Sequence, residues 1–114
     1  MKLFAIGDLH LSHASDKPMD VFGPAWDDHA ARIADSWRNI VAEQDVVLIP
    51  GDISWAMHLD EAKADIDFIS ALPGKKIIMR GNHDYWWASL SKVRAILPEG
   101  IYALQNDAVD IGGA

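Results

Sequence analysis

Short apolar runs alternate with amphipathic stretches along the whole chain. Lys2 to Ile6 is apolar and flanked by turn chemistry, which predicts a first strand. Asp45-Val46-Val47-Leu48-Ile49 is β-branched and continuously apolar, the composition of a strand covered on both faces. Lys75 to Arg80 predicts a third strand, led in by a Pro73-Gly74 turn. Ile101 to Leu104 predicts a short fourth strand, and Asn106-Asp107 a turn into a fifth beginning near Ala108. Between the first two strands, Ala30, Ile33, Ala34, Trp37, Ile40 and Val41 recur at helical spacing and predict a helix from about Asp27 to Glu43. Asp27-Asp28 place negative charge at its positive N-terminal end. A second helix is predicted from about Asp60 to Leu72, with Ala62, Ile66 and Ile69 on one stripe and Pro73-Gly74 as its stop. A third runs from about Ser89, a plausible cap, to Leu97, before Pro98. Strands alternating with helices imply right-handed crossovers and a largely parallel sheet, so the fold class is α/β.

The chain has 114 residues, half of them hydrophobic, enough for one domain with its own core. A formal net charge of -7 disfavours non-specific binding to nucleic acid or anionic lipid. It leaves room for an anionic substrate, because bound divalent cations can reverse the local field. Without cysteine there are neither disulfides nor thiolate metal sites, which fits a reducing cytoplasm. The N-terminal apolar run is too short for a signal-peptide core, and no segment reaches the roughly 20 apolar residues of a membrane-spanning helix. A soluble cytoplasmic protein without membrane partners is the expectation.

Three polar clusters follow three of the predicted strands: Asp8-Leu9-His10, Gly51-Asp52 and Gly81-Asn82-His83-Asp84. Open parallel sheets bind ligands at the carboxyl ends of their strands, where these clusters fall. Asp8, His10, Asp52 and Asn82 offer carboxylate, imidazole and amide oxygen, a set suited to borderline or hard divalent ions such as Mn, Fe or Zn. A carboxylate is a natural bridge between two cations, and paired ions about 3.5–4 Å apart can clamp a phosphoryl group. Gly-Asp and Asp-x-His are each common in turns. Gly-Asn-His-Asp is rarer, arising by accident in roughly one chain of this size in several thousand.

In order and placement the three clusters resemble the first three motifs of the calcineurin-like metallophosphoesterases. The resemblance implies half, βαβαβα, of an α/β/β/α sandwich with a dinuclear metal centre at one edge. It implies hydrolysis of a phosphomono- or diester by a hydroxide held on two divalent cations. By motif match, Asp8 and His10 would hold the first metal, Asp52 would bridge, and Asn82 would bind the second. His83 would face the substrate as a charge stabiliser or proton donor, and Asp84 would orient His83. Among neighbouring residues, His13, Trp55, Tyr85 and Trp86 are candidate substrate contacts, with a solvated loop or core packing as the alternative for each.

Family members carry a further histidine and a Gly-His-x-His motif in a C-terminal half, and no histidine follows His83 here. The resemblance thus covers nearly all of the chain but about half of the family domain. Residues 1–114 are accordingly expected to be one domain cut short at its C-terminus, holding metal weakly and turning over slowly. Half a sandwich exposes an apolar sheet face and a strand edge, so self-association is also expected. The partner implied is a small phosphorylated substrate. A nuclease of the same superfamily is the second enzymatic reading, opposed by the acidic balance. A non-catalytic binding module is the third, opposed by intact ligands in all three motifs.

Overall fold

The computed structural model describes residues 2–7, 9–11, 29–54, 56–82 and 84–105. Within them the expected alternation is present. Strand β1 is Leu3–Ala5, helix α1 His29–Ile40, strand β2 Val46–Ile49 and helix α2 Leu59–Ser70. Strand β3 is Lys75–Met79, helix α3 Leu90–Ile96 and strand β4 Ile101–Leu104. The strands form one parallel sheet in the order β1-β2-β3-β4. The fifth strand expected near Ala108, and the Asp27-Asp28 start of the first helix, lie outside the described residues.

Sequential parallel strands joined by crossovers of one hand must carry all their helices on the same side of the sheet. The core has that form. Register aligns Phe4, Val47, Lys76 and Ile101 across the sheet, and Ile49, Ile78 and Ala103 two residues further on. Except for Lys76, these side chains join one apolar cluster with Ala34 and Trp37 of α1, Ala62, Ile66 and Ile69 of α2, and Val93 of α3. The opposite face, carrying Leu3, Val46, Leu48, Ile77, Met79 and Leu104, contributes nothing to that cluster. Val46 and Ile77 are still buried, but Leu3 is 58% exposed. Continuous apolar character in β2 therefore serves two different environments, a helix-covered face and an apolar face outside that core.

Local chemistry fixes the element ends. Ser89 caps α3 by accepting the Lys92 amide at 3.3 Å, as its position before an apolar stripe predicts. Trp37 is buried and its indole N–H donates to the Pro73 carbonyl, tying α1 to the turn before β3. At the N-terminal ends of the strands, the buried Asp45 carboxylate accepts the amides of Ala42 and Lys2, while its carbonyl accepts that of Lys75. The Ala42 amide first, then that of Lys2, holds this carboxyl below the usual aspartate value.

Two positions depart from the simple helical stripes. Ile40 shares the helical spacing of Ile33, Ala34 and Trp37, yet it is 59% exposed. It closes α1 beside the edge strand, where it helps to line an apolar groove of about 580 Å³ with Phe4, Ile6, Ile33, Trp37 and Val47. The second helix carries a buried carboxylate, Asp65, on the same stripe as the apolar Ala62, Ile66 and Ile69. No helix among the described residues is long and apolar enough to cross a membrane.

Candidate metal centre

His10, Asp52 and Asn82 follow β1, β2 and β3, and parallel strands deliver them to one edge of the sheet. The loops bearing them are joined by backbone. The His10 amide donates to the Asp52 carbonyl at 3.0 Å and the Leu11 amide to the Ile53 carbonyl at 2.8 Å, extending the β1–β2 pairing past the strands to a bridge between Leu11 and Ser54.

Gly51 and Gly81 bring the second and third loops into contact. A Cβ on Gly51 would lie 2.5 Å from the Gly81 Cα. One on Gly81 would overlap the Asp52 amide nitrogen and fall 2.5 Å from its Oδ1. No side chain fits at either position, so the glycine preceding Asp52 and the one preceding Asn82 are both required by close approach. Their contact sets the Asp52 carboxylate directly against the start of the Gly81-Asn82 turn.

His10 and Asp52 adopt the left-handed conformation, with φ of 48° and 50°, and they alone do so among the described non-glycine residues. Such a backbone costs roughly 1–3 kcal/mol per residue and persists only where its surroundings over-determine it. Strain confined to two expected ligands points to a site shaped for a purpose other than stability.

What over-determines them is a buried layer behind the ligands. Asp84 is fully buried. Its Oδ1 accepts the amides of Ile53 at 2.8 Å and Ser54 at 3.1 Å and the indole N–H of Trp86 at 3.1 Å, while Oδ2 accepts the Gly81 amide at 2.7 Å. One carboxylate thus satisfies donors from both glycine-led loops. Ser54, also buried, donates its hydroxyl to Asp65 Oδ2 at 2.5 Å and accepts the Ala56 amide at 3.0 Å. Asp52 and His10 are half-buried and Asn82 is exposed, so the expected ligands face solvent while their supports do not.

Asp8, His83, His13 and Trp55 lie outside the described residues, and with them the expected pairing of Asp84 with His83. Tyr85 is 51% exposed. Trp86, the other aromatic considered as a pocket wall, is buried in the core, its ring 5.5 Å from that of Trp87. Among the described residues, no three His, Cys, Asp or Glu side chains cluster as a metal cage. An imidazole, a carboxylate and an amide oxygen on three joined loops nonetheless match the donors that a borderline divalent cation takes. The Ser54–Asp65 pair escaped sequence reasoning, although a carboxylate on the apolar stripe of a helix was a signal for it.

Residues 1–110 match the family model for calcineurin-like phosphoesterases. The chain is 34% identical over 77 residues to the Gene 66 protein of Mycobacterium phage L5, covering 68% of this chain and 37% of that protein. It is 26% identical over 88 residues to an uncharacterized protein of Methanocaldococcus jannaschii, covering 73% of this chain and 47% of the other. Among solved structures, a protein of unknown function from Aquifex aeolicus superposes with a TM-score of 0.59 at 22% identity, covering 88% of this chain and 50% of that one. The chain therefore spans less than half the length of these sequence relatives and half of the solved structure.

Proposed function

The chain belongs to the calcineurin-like phosphoesterase family, and we propose that it serves metal-dependent hydrolysis of phosphomono- or diesters, as the part of the domain that supplies the first ligands. The observation that supports this reading is the glycine-to-glycine contact that sets the Asp52 carboxylate against Gly81, with the His10 amide bonded to the Asp52 carbonyl and both residues on left-handed backbone. Asp8, His10, Asp52 and Asn82 would hold two divalent cations, with Mn, Fe or Zn fitting the donors. When bound, such cations offset phosphate charge and lower the pKa of coordinated water.

The remaining work falls to the chain's own groups. Asp52 would have a bridging place, because its carboxylate has an oxygen for each side. His83 would donate a proton to the leaving oxygen, the role that the family motif implies for it. Asp84 would orient His83, as the family motif implies, and keep the third loop docked on the second. The compact positive field of the loaded site would draw a small phosphorylated substrate to a protein whose net charge is -7.

The test is hydrolysis of p-nitrophenyl phosphate and bis-p-nitrophenyl phosphate by the Mn²⁺-supplemented chain. Turnover is expected to be slow, to need the metal, and to fall about 100-fold in His83→Ala with Mn²⁺ uptake unchanged. Absence of metal-dependent hydrolysis, together with Mn²⁺ uptake that Asp52→Ala leaves unaltered, would remove the proposal.

A further inference from the structure

Asp65 needs an explanation that the fold does not supply. It is 1% exposed, in the middle of α2, on a stripe otherwise made of Ala62, Ile66 and Ile69. A buried carboxylate is costly unless hydrogen-bonded, and an aliphatic side chain at that position would pack the helix without the cost. Its short hydrogen bond to Ser54 indicates what it is for.

Ser54 is a junction of four segments. Its hydroxyl meets α2 through Asp65, its amide meets the β3 loop through Asp84, and its backbone bridges Leu11 beyond β1. It lies two residues after Asp52 in the β2 loop. An acceptor at position 65 directs the hydroxyl proton toward α2, which leaves an oxygen lone pair for the Ala56 amide. Ser54 is thereby fixed from both sides, and the backbone leading back to the left-handed Asp52 loses its freedom to relax. His10, whose amide donates to the Asp52 carbonyl, is held by the same geometry.

We propose that Asp65, acting through Ser54, is a positioning residue that keeps the Asp52 and His10 ligands in metal-binding geometry. The proposal rests on the reading of Asp52 and His10 as ligands. Groups that orient ligands without touching the metal typically contribute about 10–100-fold in affinity. Asp65 should therefore matter more to metal affinity than to folding.

Free Mn²⁺ counted by electron paramagnetic resonance during titration of the full chain tests this. Asp65→Ala and Ser54→Ala should each weaken Mn²⁺ binding about 10-fold. Ile66→Val, one residue along the same helix, should lower the melting temperature and leave Mn²⁺ affinity within about twofold of wild type, because it trims core packing alone. In the metal-free protein, Ser54→Ala should also speed amide hydrogen exchange at Ile53, whose amide donates to Asp84, which a purely packing role for the hydroxyl would not do. Wild-type affinity in both Asp65→Ala and Ser54→Ala, or an equal loss in Ile66→Val, overturns the positioning role while leaving the ligands in place. A wild-type chain that takes up no Mn²⁺ overturns the functional reading, and the positioning role with it.

Discussion

Replacing Asp84 by Asn changes one oxygen to an NH₂ and isolates what the buried carboxylate contributes. Among the described residues, Oδ1 accepts three donors, from Ile53, Ser54 and Trp86, while Oδ2 accepts the Gly81 amide. The amide will therefore keep its oxygen at the Oδ1 position and turn its NH₂ toward the Gly81 N–H. One donor loses its partner and faces another donor, at a cost of about 1–3 kcal/mol. The three surviving bonds become neutral, and neutral bonds have about half the strength of charge-assisted ones. Part of that loss is offset, because a neutral amide is cheaper to bury than a carboxylate. A net loss of about 2–4 kcal/mol follows, or roughly 10–20 °C in melting temperature for a chain of this size. Urea unfolding followed by tryptophan fluorescence measures it, with Asp67→Asn, on the exposed side of α2, as the control expected to change stability by less than about 0.5 kcal/mol. If Asp84→Asn costs under about 1 kcal/mol, the carboxylate does not clasp the two loops as argued.

Three further outcomes follow from the same geometry. Gly81→Ala should destabilise by about 3 kcal/mol or more, because the new methyl meets backbone that can yield only by parting the loops; Gly7→Ala, whose Cβ would meet nothing nearer than Pro50 Cγ at 3.8 Å among the described residues, should be within about 1 kcal/mol of neutral by urea unfolding. Burial holds the Lys76 amine, which donates to the Leu72 carbonyl, below its usual pKa, with the charge of Glu43 opposing the shift. Between that lowered value and 10.5 the unfolded chain binds more protons, so wild-type melting temperature should rise with pH relative to Lys76→Met; parallel profiles would exclude the effect. With Leu3 exposed on an edge strand and an apolar groove beside it, the chain should self-associate with concentration in light scattering, and a monomer at all concentrations would count against it.

Much of this architecture could be read from the chain because its signals are periodic. Apolar runs of strand length, helical stripes and a Ser cap placed every described element within a few residues, and parallel order then put three polar clusters at one edge. Ile40 shows where periodicity fails. It has the spacing of a core residue, but what lies opposite it depends on α1 running beside an edge strand, which no local pattern reveals. Histidine and aspartate tolerate the left-handed region better than most residues, but nothing in the sequence singles out His10 and Asp52 from the other residues of these types as the ones that occupy it. Gly51 and Gly81 are visible as glycines, yet their mutual contact is a tertiary fact. The Asp84 clasp and the Ser54–Asp65 pair join residues 30 and 11 positions apart through loops, beyond the reach of any stripe.

Mn²⁺ titration of the wild-type chain against Asp52→Asn bears most directly on the claim that the three joined loops form a metal site. Saturable uptake is expected for the wild type and a loss of at least about 10-fold in affinity for the variant, with the fold retained by circular dichroism, since the exchange removes a charge and one donor oxygen from the proposed bridge. Equal Mn²⁺ uptake by both proteins would contradict it.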